Sequence, residues 1–244
     1  MDRLIYTAMT GAKYLVERQA TLAHNLANSS TTGFRADTVG LRAVPTVGQQ
    51  AGTRVFTVET TTGSDFTQGP MISTSRNLDV AIQGSGWFAV QGTDGNEAYT
   101  RAGAIQVGPD GTLQLNNGAT VQGTSGPISM PSDAQSVFIA PDGTITVKTA
   151  SAILPTTVGQ LKLVNPPLES LSKGLDGLFR LKNGDTADAD PAVKVASGTL
   201  EGSNVNVVES MVGMIGAARQ FELQMKMLST AEQNEQKAGT LLGS

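Results

Sequence analysis

Residues 206–228 read NVVESMVGMIGAARQFELQMKML, and within them Val207, Met211, Met214, Ala218, Phe221, Met225 and Leu228 recur every three or four positions. That is the spacing of one face of an α-helix. Asn206 stands three residues before Glu209, the arrangement of a capping box, and Gly239 stands where this helix is expected to stop. At the opposite end, residues 5–26 read IYTAMTGAKYLVERQATLAHNL and repeat the period at Ile5, Ala8, Ala12, Leu15, Gln19, Leu22 and Leu26. The pattern predicts a helix from Asp2, whose carboxylate accepts from first-turn amides, to about Asn28, with Ser29 to Gly33 breaking it.

Between the two ends the period changes. Asn77 to Gln91 reads NLDVAIQGSGWFAVQ, with Leu78, Val80 and Ile82 alternating before Gly84 to Gly86 interrupt, which predicts two strands and a turn. Asp94-Gly95, Asp110-Gly111, Asn117-Gly118, Asp142-Gly143 and Asn183-Gly184 are further turn signals, each supplying residues that tolerate positive φ. Strands are expected over 98–107, 112–115, 137–139, 144–148, 160–164 and 193–196. The stretch Arg35 to Ser75 has scattered Thr and Gly, one strand around Val55 to Val58 and no sustained period, and reads as an extended linker arm, with a disordered loop as its alternative. The fold class is therefore α+β, with N- and C-terminal helices and a central, mainly antiparallel β domain. The expected division is 1–34 with 203–244 as a discontinuous helical domain, 35–75 as the arm and 76–202 as the β domain.

Composition narrows the function. Aromatic residues are only 5% of 244, so the core must rest mainly on Val, Ile, Leu and Ala. A net charge of -4, with 17 basic residues spread along the chain, forms no basic stripe and argues against nucleic acid as a partner. No apolar run is long enough for a membrane span, and Thr7, Thr10 and Lys13 interrupt any signal-peptide core, so neither membrane insertion nor cleaved secretion is expected. Cysteine is absent, which removes disulfides, thiolate catalysis and thiolate metal sites together.

Candidate chemistry is sparse. His24 is the single histidine and has no His, Cys or carboxylate at ligand spacing, so it reads as a helix-surface or packing residue. A Ser-His-Asp triad would have to recruit it, and no G-x-S-x-G elbow occurs. Asp185, Asp188 and Asp190 cluster in a Gly-flanked loop without EF-hand spacing, and a solvated loop is the simpler reading. No catalytic, cofactor-binding or metal-binding residue is expected, and no cofactor.

Periodicity alone leaves two readings of the helical ends. They pack on each other or on their own β domain, or they pack on other chains. Ordering a helix costs on the order of 1 to 2 kcal/mol per residue in backbone entropy, while its few large seam residues recover roughly 1.5 to 3 kcal/mol apiece, so the first helix needs a partner. Ala8, Gly11 and Ala12 permit close approach of another helix, and the methionines at 211, 214, 225 and 227 adapt to several neighbours.

Four segments decide between these readings by resemblance. AHNLANSSTTGFRAD (23–37), NLDVAIQGSGWF (77–88), YTRAGAIQVGPDGTL (99–113) and GTLEGSNVNVVESMVGMI (198–215) resemble, in order, the motifs of the flagellar axial family, the rod and hook proteins of the bacterial flagellum. The length and the run ARQFELQMKMLSTAEQNEQ (217–236) look most like the proximal-rod branch, with distal-rod or hook-type subunits as the alternative and a peptidoglycan-acting enzyme as the competitor from another class. His24 replaces the Asn often found in the first motif, and Arg35 replaces its Lys with charge retained.

The resemblance implies a structural subunit, not an enzyme. It would be exported through the flagellar export apparatus without a cleaved signal peptide. In the basal body, in the periplasmic space, it would polymerise with copies of itself and other rod subunits into an open helical assembly. The expected assembly interface comprises Ile5, Ala8, Ala12, Leu15, Leu22, Asn25, Leu26, Asn28, Gly33 and Phe34 from the first motif region. From the second it takes Asn204, Asn206, Val207, Met211, Met214, Ala218, Phe221, Met225 and Leu228. The terminal helices are expected to form a coiled-coil-like layer there.

Overall fold

In the computed structural model, the described residues are 2–45, 55–150 and 154–242. Side chains are described for 8–40, 63–150, 154–234, 236 and 237. The chain divides into two compact units, one of residues 1–29, 36–65 and 205–244, the other of residues 30–35 and 66–204.

The first unit holds both helices, α1 (Asp2–Ala27) and α2 (Val207–Leu242), with strands β1 (Asp37–Pro45) and β2 (Val55–Ser64). α2 opens as its sequence requires: Asn206 Oδ1 accepts from the N–H groups of Val208 and Glu209 at 3.1 and 3.2 Å, taking up donors that have no intrahelical partner. Gly239 does not end it, because an isolated glycine costs only about 1 kcal/mol and the helix continues to Leu242. The two helices pack together. A Cβ on Gly213 would lie 3.1 Å from Leu22 Cδ1, and one on Gly11 would lie 3.5 Å from Gln224 Nε2, so the helices run antiparallel.

Within residues 35–75, β1 and β2 form an antiparallel ladder running from Asp37 opposite Ser64 to Pro45 opposite Val55, irregular between Thr38 and Gly40. The Thr-rich sequence of β2 carries β propensity without the apolar alternation that makes a strand legible.

In the second unit, β3 is Met71–Ser73, β4 Val80–Gln83, β5 Trp87–Gln91, β6 Glu97–Thr100 and β7 Ile105–Val107. Next come β8 (Leu113–Leu115), β9 (Thr120–Gly123), β10 (Gly126–Pro127), β11 (Ala134–Ile139), β12 (Thr144–Thr149) and β13 (Thr156–Gln160). The last are β14 (Leu163–Val164), β15 (Leu171–Lys173), β16 (Phe179–Leu181), β17 (Lys194–Ser197) and β18 (Thr199–Glu201). All pairings are antiparallel. The largest sheet runs β15-β16-β6-β5-β9-β8-β7, with β10 on β9 and β14 on β5. A second sheet is β11-β12-β13, and two ladders, β17 with β4 and β18 with β3, join strands far apart in sequence.

The stretch 98–107, expected as a single strand, is instead β6, a bend and β7. The backbone at Gly103 lies so close to the Val80 carbonyl that a Cβ there has no room. At every Asx-Gly pair named above the glycine is left-handed, with φ between 77° and 83°. Strand β5 is buried on both faces, which is why WFAV reads as a continuous apolar run. Phe88 and Val90 enter a core of Val, Ile and Leu, whereas Trp87 and Ala89 enter a smaller one with Tyr99 and Phe179. Trp87 and Phe179 have ring centroids 4.7 Å apart, so the few aromatics are concentrated rather than spread.

At the edge of that smaller core, Tyr99 donates its hydroxyl hydrogen to Glu97 Oε1 at 2.9 Å and accepts from the Ala187 N–H at 2.7 Å. Burial pushes the Tyr99 phenol up to about 12, with the neighbouring Glu97 adding to the rise and the Ala187 N–H opposing it. The folded value lies above the unfolded one of about 10, so the associated stability is complete below pH 10 and is lost as pH rises toward 12. The urea midpoint of the wild type should fall more steeply over this window than that of Tyr99→Phe. Parallel curves would refute the assignment.

Candidate functional site

Two arrangements collect the motif residues, one in each unit. In the first unit the end of α1 is fastened to the start of β1. Asn25 Nδ2 donates to the Asp37 carbonyl at 2.9 Å, and the Asp37 N–H donates to Asn25 Oδ1 at 2.8 Å, so the carboxamide pairs with the backbone as a second strand would. His24 Nδ1 lies 2.8 Å from Asp37 Oδ2. Asn28 Nδ2 closes the helix end by donating to the His24 carbonyl at 2.9 Å. Of the NLAN motif, Asn25 thus connects α1 to β1 and Asn28 caps the helix end.

The helix faces divide. Ala8, Ala12 and Leu15 are buried, Leu22 and Leu26 are half-buried, and Ala217 is buried from α2. Met214, Ala218, Phe221 and Leu228 are half-buried, while Val207, Met211 and Met225 are exposed and Ile5 falls where side chains lie outside the described set. Periodicity alone missed a further row. Val208, Val212, Ile215, Leu223 and Met227 are exposed by 70%, 64%, 56%, 65% and 46%, and step along α2 by three, four or eight positions. α2 therefore carries an apolar face that its own chain leaves exposed.

In the second unit, three motifs distant in sequence meet around one carboxylate. Residues 30–35 run against the ends of β6 and β18: the Gly33 N–H donates to the Glu201 carbonyl at 2.8 Å, and the Asn204 N–H to the Phe34 carbonyl at 3.4 Å. Lys173 Nζ donates to the Arg35 carbonyl at 2.8 Å and sits 4.0 Å from the centre of the Phe34 ring. Asn204 Nδ2 donates to the Thr67 carbonyl at 3.0 Å. Arg35 Nη2 lies 2.7 Å from Glu201 Oε1, and Arg101 Nη1 lies 3.5 Å from Glu201 Oε2. All three side chains are buried.

Burial pushes the Arg101 guanidinium down, Glu201 opposes that, and the like charge of Arg35 adds to it. Gly33 and Phe34, expected at an assembly interface, lie within the chain against this cluster, and Arg101, Glu201 and Lys173 carry no periodic signal. Their sequence trace is that each lone charge stands in or beside apolar or small residues.

Gly33 is required twice over. Its φ is 68°, and a Cβ would overlap the backbone of Arg101 and Ala102. Gly84 has φ 79° but open space around it. Gly33→Ala should lose about 2 to 5 kcal/mol against about 1 to 2 for Gly84→Ala, read as urea midpoints. Equal losses would remove the close-approach argument.

Among the described residues no cluster of three or more His, Asp or Glu gathers to hold a metal ion, and no helix is long and apolar enough to cross a membrane.

Comparison with known families agrees with the order of the motifs. Residues 5–35 match the flagella basal body rod protein model, residues 81–147 the flagellar hook protein FlgE/F/G D1 domain, and residues 196–241 the flagellar basal body rod FlgEFG protein C-terminal model. The chain belongs to the flagellar basal-body rod and hook protein family. It is 47% identical over 252 residues to the flagellar basal-body rod protein FlgF of Escherichia coli K12, covering 99% of each chain. To FlgF of Salmonella typhimurium it is 46% identical, again over 99% of each chain. To the rod protein FlgG of Agrobacterium fabrum it is 33% identical, over 95% of this chain and 96% of the other. It is of the F type, a structural rod protein.

Proposed function

We propose that this chain is a subunit of the proximal rod and polymerises through its helices, the terminal pair of each copy packing against those of neighbouring subunits in a coiled-coil-like layer. The observation that carries this reading is the exposed row on α2, Val208, Val212, Ile215, Leu223 and Met227, beside the face turned to α1. A helix apolar on more than one side needs more than one apolar neighbour. Head-to-tail use of such a face gives an open helix, the geometry of a shaft. Other rod subunits and the flagellar export apparatus are the corresponding partners, and the rod in the periplasmic space the corresponding location. The residues 35–75, on this reading, bridge neighbouring subunits, and the expected residues Met211 and Met225 contribute to the contact.

Site-specific cross-linking in flagellated cells is the test. Cysteine introduced at Val212 should form adducts with rod subunits in isolated basal bodies, whereas cysteine at the buried Ala217 should not. Adducts confined to non-flagellar proteins would overturn the reading. The F-type likeness favours the proximal rod over a distal-rod or hook position.

A further inference from the structure

The charge cluster of the second unit is out of balance. Arg35, Arg101 and Glu201 are 1%, 4% and 0% exposed, so two guanidiniums face one carboxylate away from water. Some groups are satisfied: Arg101 Nη2 donates to the Gly84 carbonyl at 2.6 Å, and Glu201 Oε1 accepts from the Gly69 N–H at 3.1 Å. Others have no hydrogen-bond partner among the described residues. They are Nε, Nη1 and Nη2 of Arg35 and Nε and Nη1 of Arg101 on the donor side, and Glu201 Oε2 on the acceptor side, although Arg35 Nη2 and Arg101 Nη1 keep their ion contacts.

Buried polar groups in native proteins are nearly always satisfied, so this deficit has a specific shape: donors outnumber acceptors, and positive charge outnumbers negative. A water molecule brings two hydrogens of its own and finds a single open acceptor, Glu201 Oε2. An acceptor-only particle with one negative charge answers both deficits together. A divalent oxyanion would overshoot the charge.

We propose that the Arg35–Arg101–Glu201 cluster binds one small monovalent anion of halide type, held against the free edges of the two guanidiniums. Arg35 belongs to residues 30–35, and Arg101 and Glu201 to the β body, so the ion ties that segment to the ends of β6 and β18. Folding of this unit is then linked to halide concentration.

Bromide serves as the probe. Crystals of the full chain grown in sodium bromide should give an anomalous peak within hydrogen-bond reach of both Arg35 and Arg101. In solution the thermal midpoint of the wild type should rise saturably with bromide or chloride at ionic strength held constant with gluconate. At about 100 times Kd the folded-to-unfolded ratio should be about 100-fold higher than without halide. Arg101→Gln, which leaves one guanidinium per carboxylate, should lose that dependence. Bromide peaks confined to the surface, with midpoints that follow ionic strength alone, would mean an adventitious ion only and overturn the proposal. A water peak at the cluster in bromide-grown crystals would also overturn it, and the wild-type diffraction stands whether or not the variant folds.

Discussion

Replacing Glu201 with Gln should lower the stability of the β-rich unit by about 3 to 5 kcal/mol, the loss expected when one partner of a buried ion cluster is removed. The carboxylate is wholly buried, and it is the group that separates Arg35 from Arg101 electrostatically. Without its charge two guanidiniums confront each other out of water, and the Gly69 N–H loses its anionic acceptor. Domains of this kind are stable by about 5 to 15 kcal/mol in total, so the variant should sit near its unfolding transition at physiological temperature.

The asymmetry of the cluster makes a second outcome predictable. Arg101→Met leaves one guanidinium per carboxylate and fills the space with an apolar chain, so its loss should be clearly smaller than that of Glu201→Gln. Trp87, 2% exposed and the single tryptophan, sits 5.8 Å from the Arg101 guanidinium and reports on this region by fluorescence during urea unfolding. A Glu201→Gln midpoint within about 1 kcal/mol of wild type would show that the carboxylate is dispensable.

What could be read in the sequence, and what could not, follows from the range of the interactions. Helix α1 and the Asn206 cap of α2 depend on residues within one or two turns, and both are written locally. The same holds for the Asx-Gly turns, where φ near 80° is a property of the glycine itself. Strand β18 is different. It pairs with β3, Glu201 opposite Met71, across well over a hundred residues, and no pattern in either short strand names the other. Likewise the single stretch expected over 98–107 breaks at Arg101 to Gly103 because Val80 and Gly33 press there, and neither neighbour is visible from the stretch itself. The site shows the same division. Gly33, Phe34 and Asn204 stood out as motif residues, and Arg35, Arg101 and Glu201 lie in the same motif segments, but that the three charges face one another is visible only once those segments converge.

The other large effect concerns α2. Ile215→Asp should abolish incorporation into the rod while changing the stability of the free chain by no more than about 0.5 kcal/mol, since Ile215 is 56% exposed. In a polymer the same carboxylate must be desolvated at an apolar contact in every copy, at about several kcal/mol each time. Leu22→Asp provides the contrast. Leu22 packs against Gly213 within the chain, so this substitution should separate α1 from α2 in the free subunit before any question of assembly arises. Circular dichroism on dilute protein and motility of the mutant strain read the two effects apart. Ile215→Asp should be helical and non-motile, Leu22→Asp less helical and non-motile. A motile Ile215→Asp strain would mean that the exposed row of α2 is not where neighbouring subunits meet, and the polymer contact would have to be sought on α1, where Met9 and Val16 are exposed by 62% and 52%.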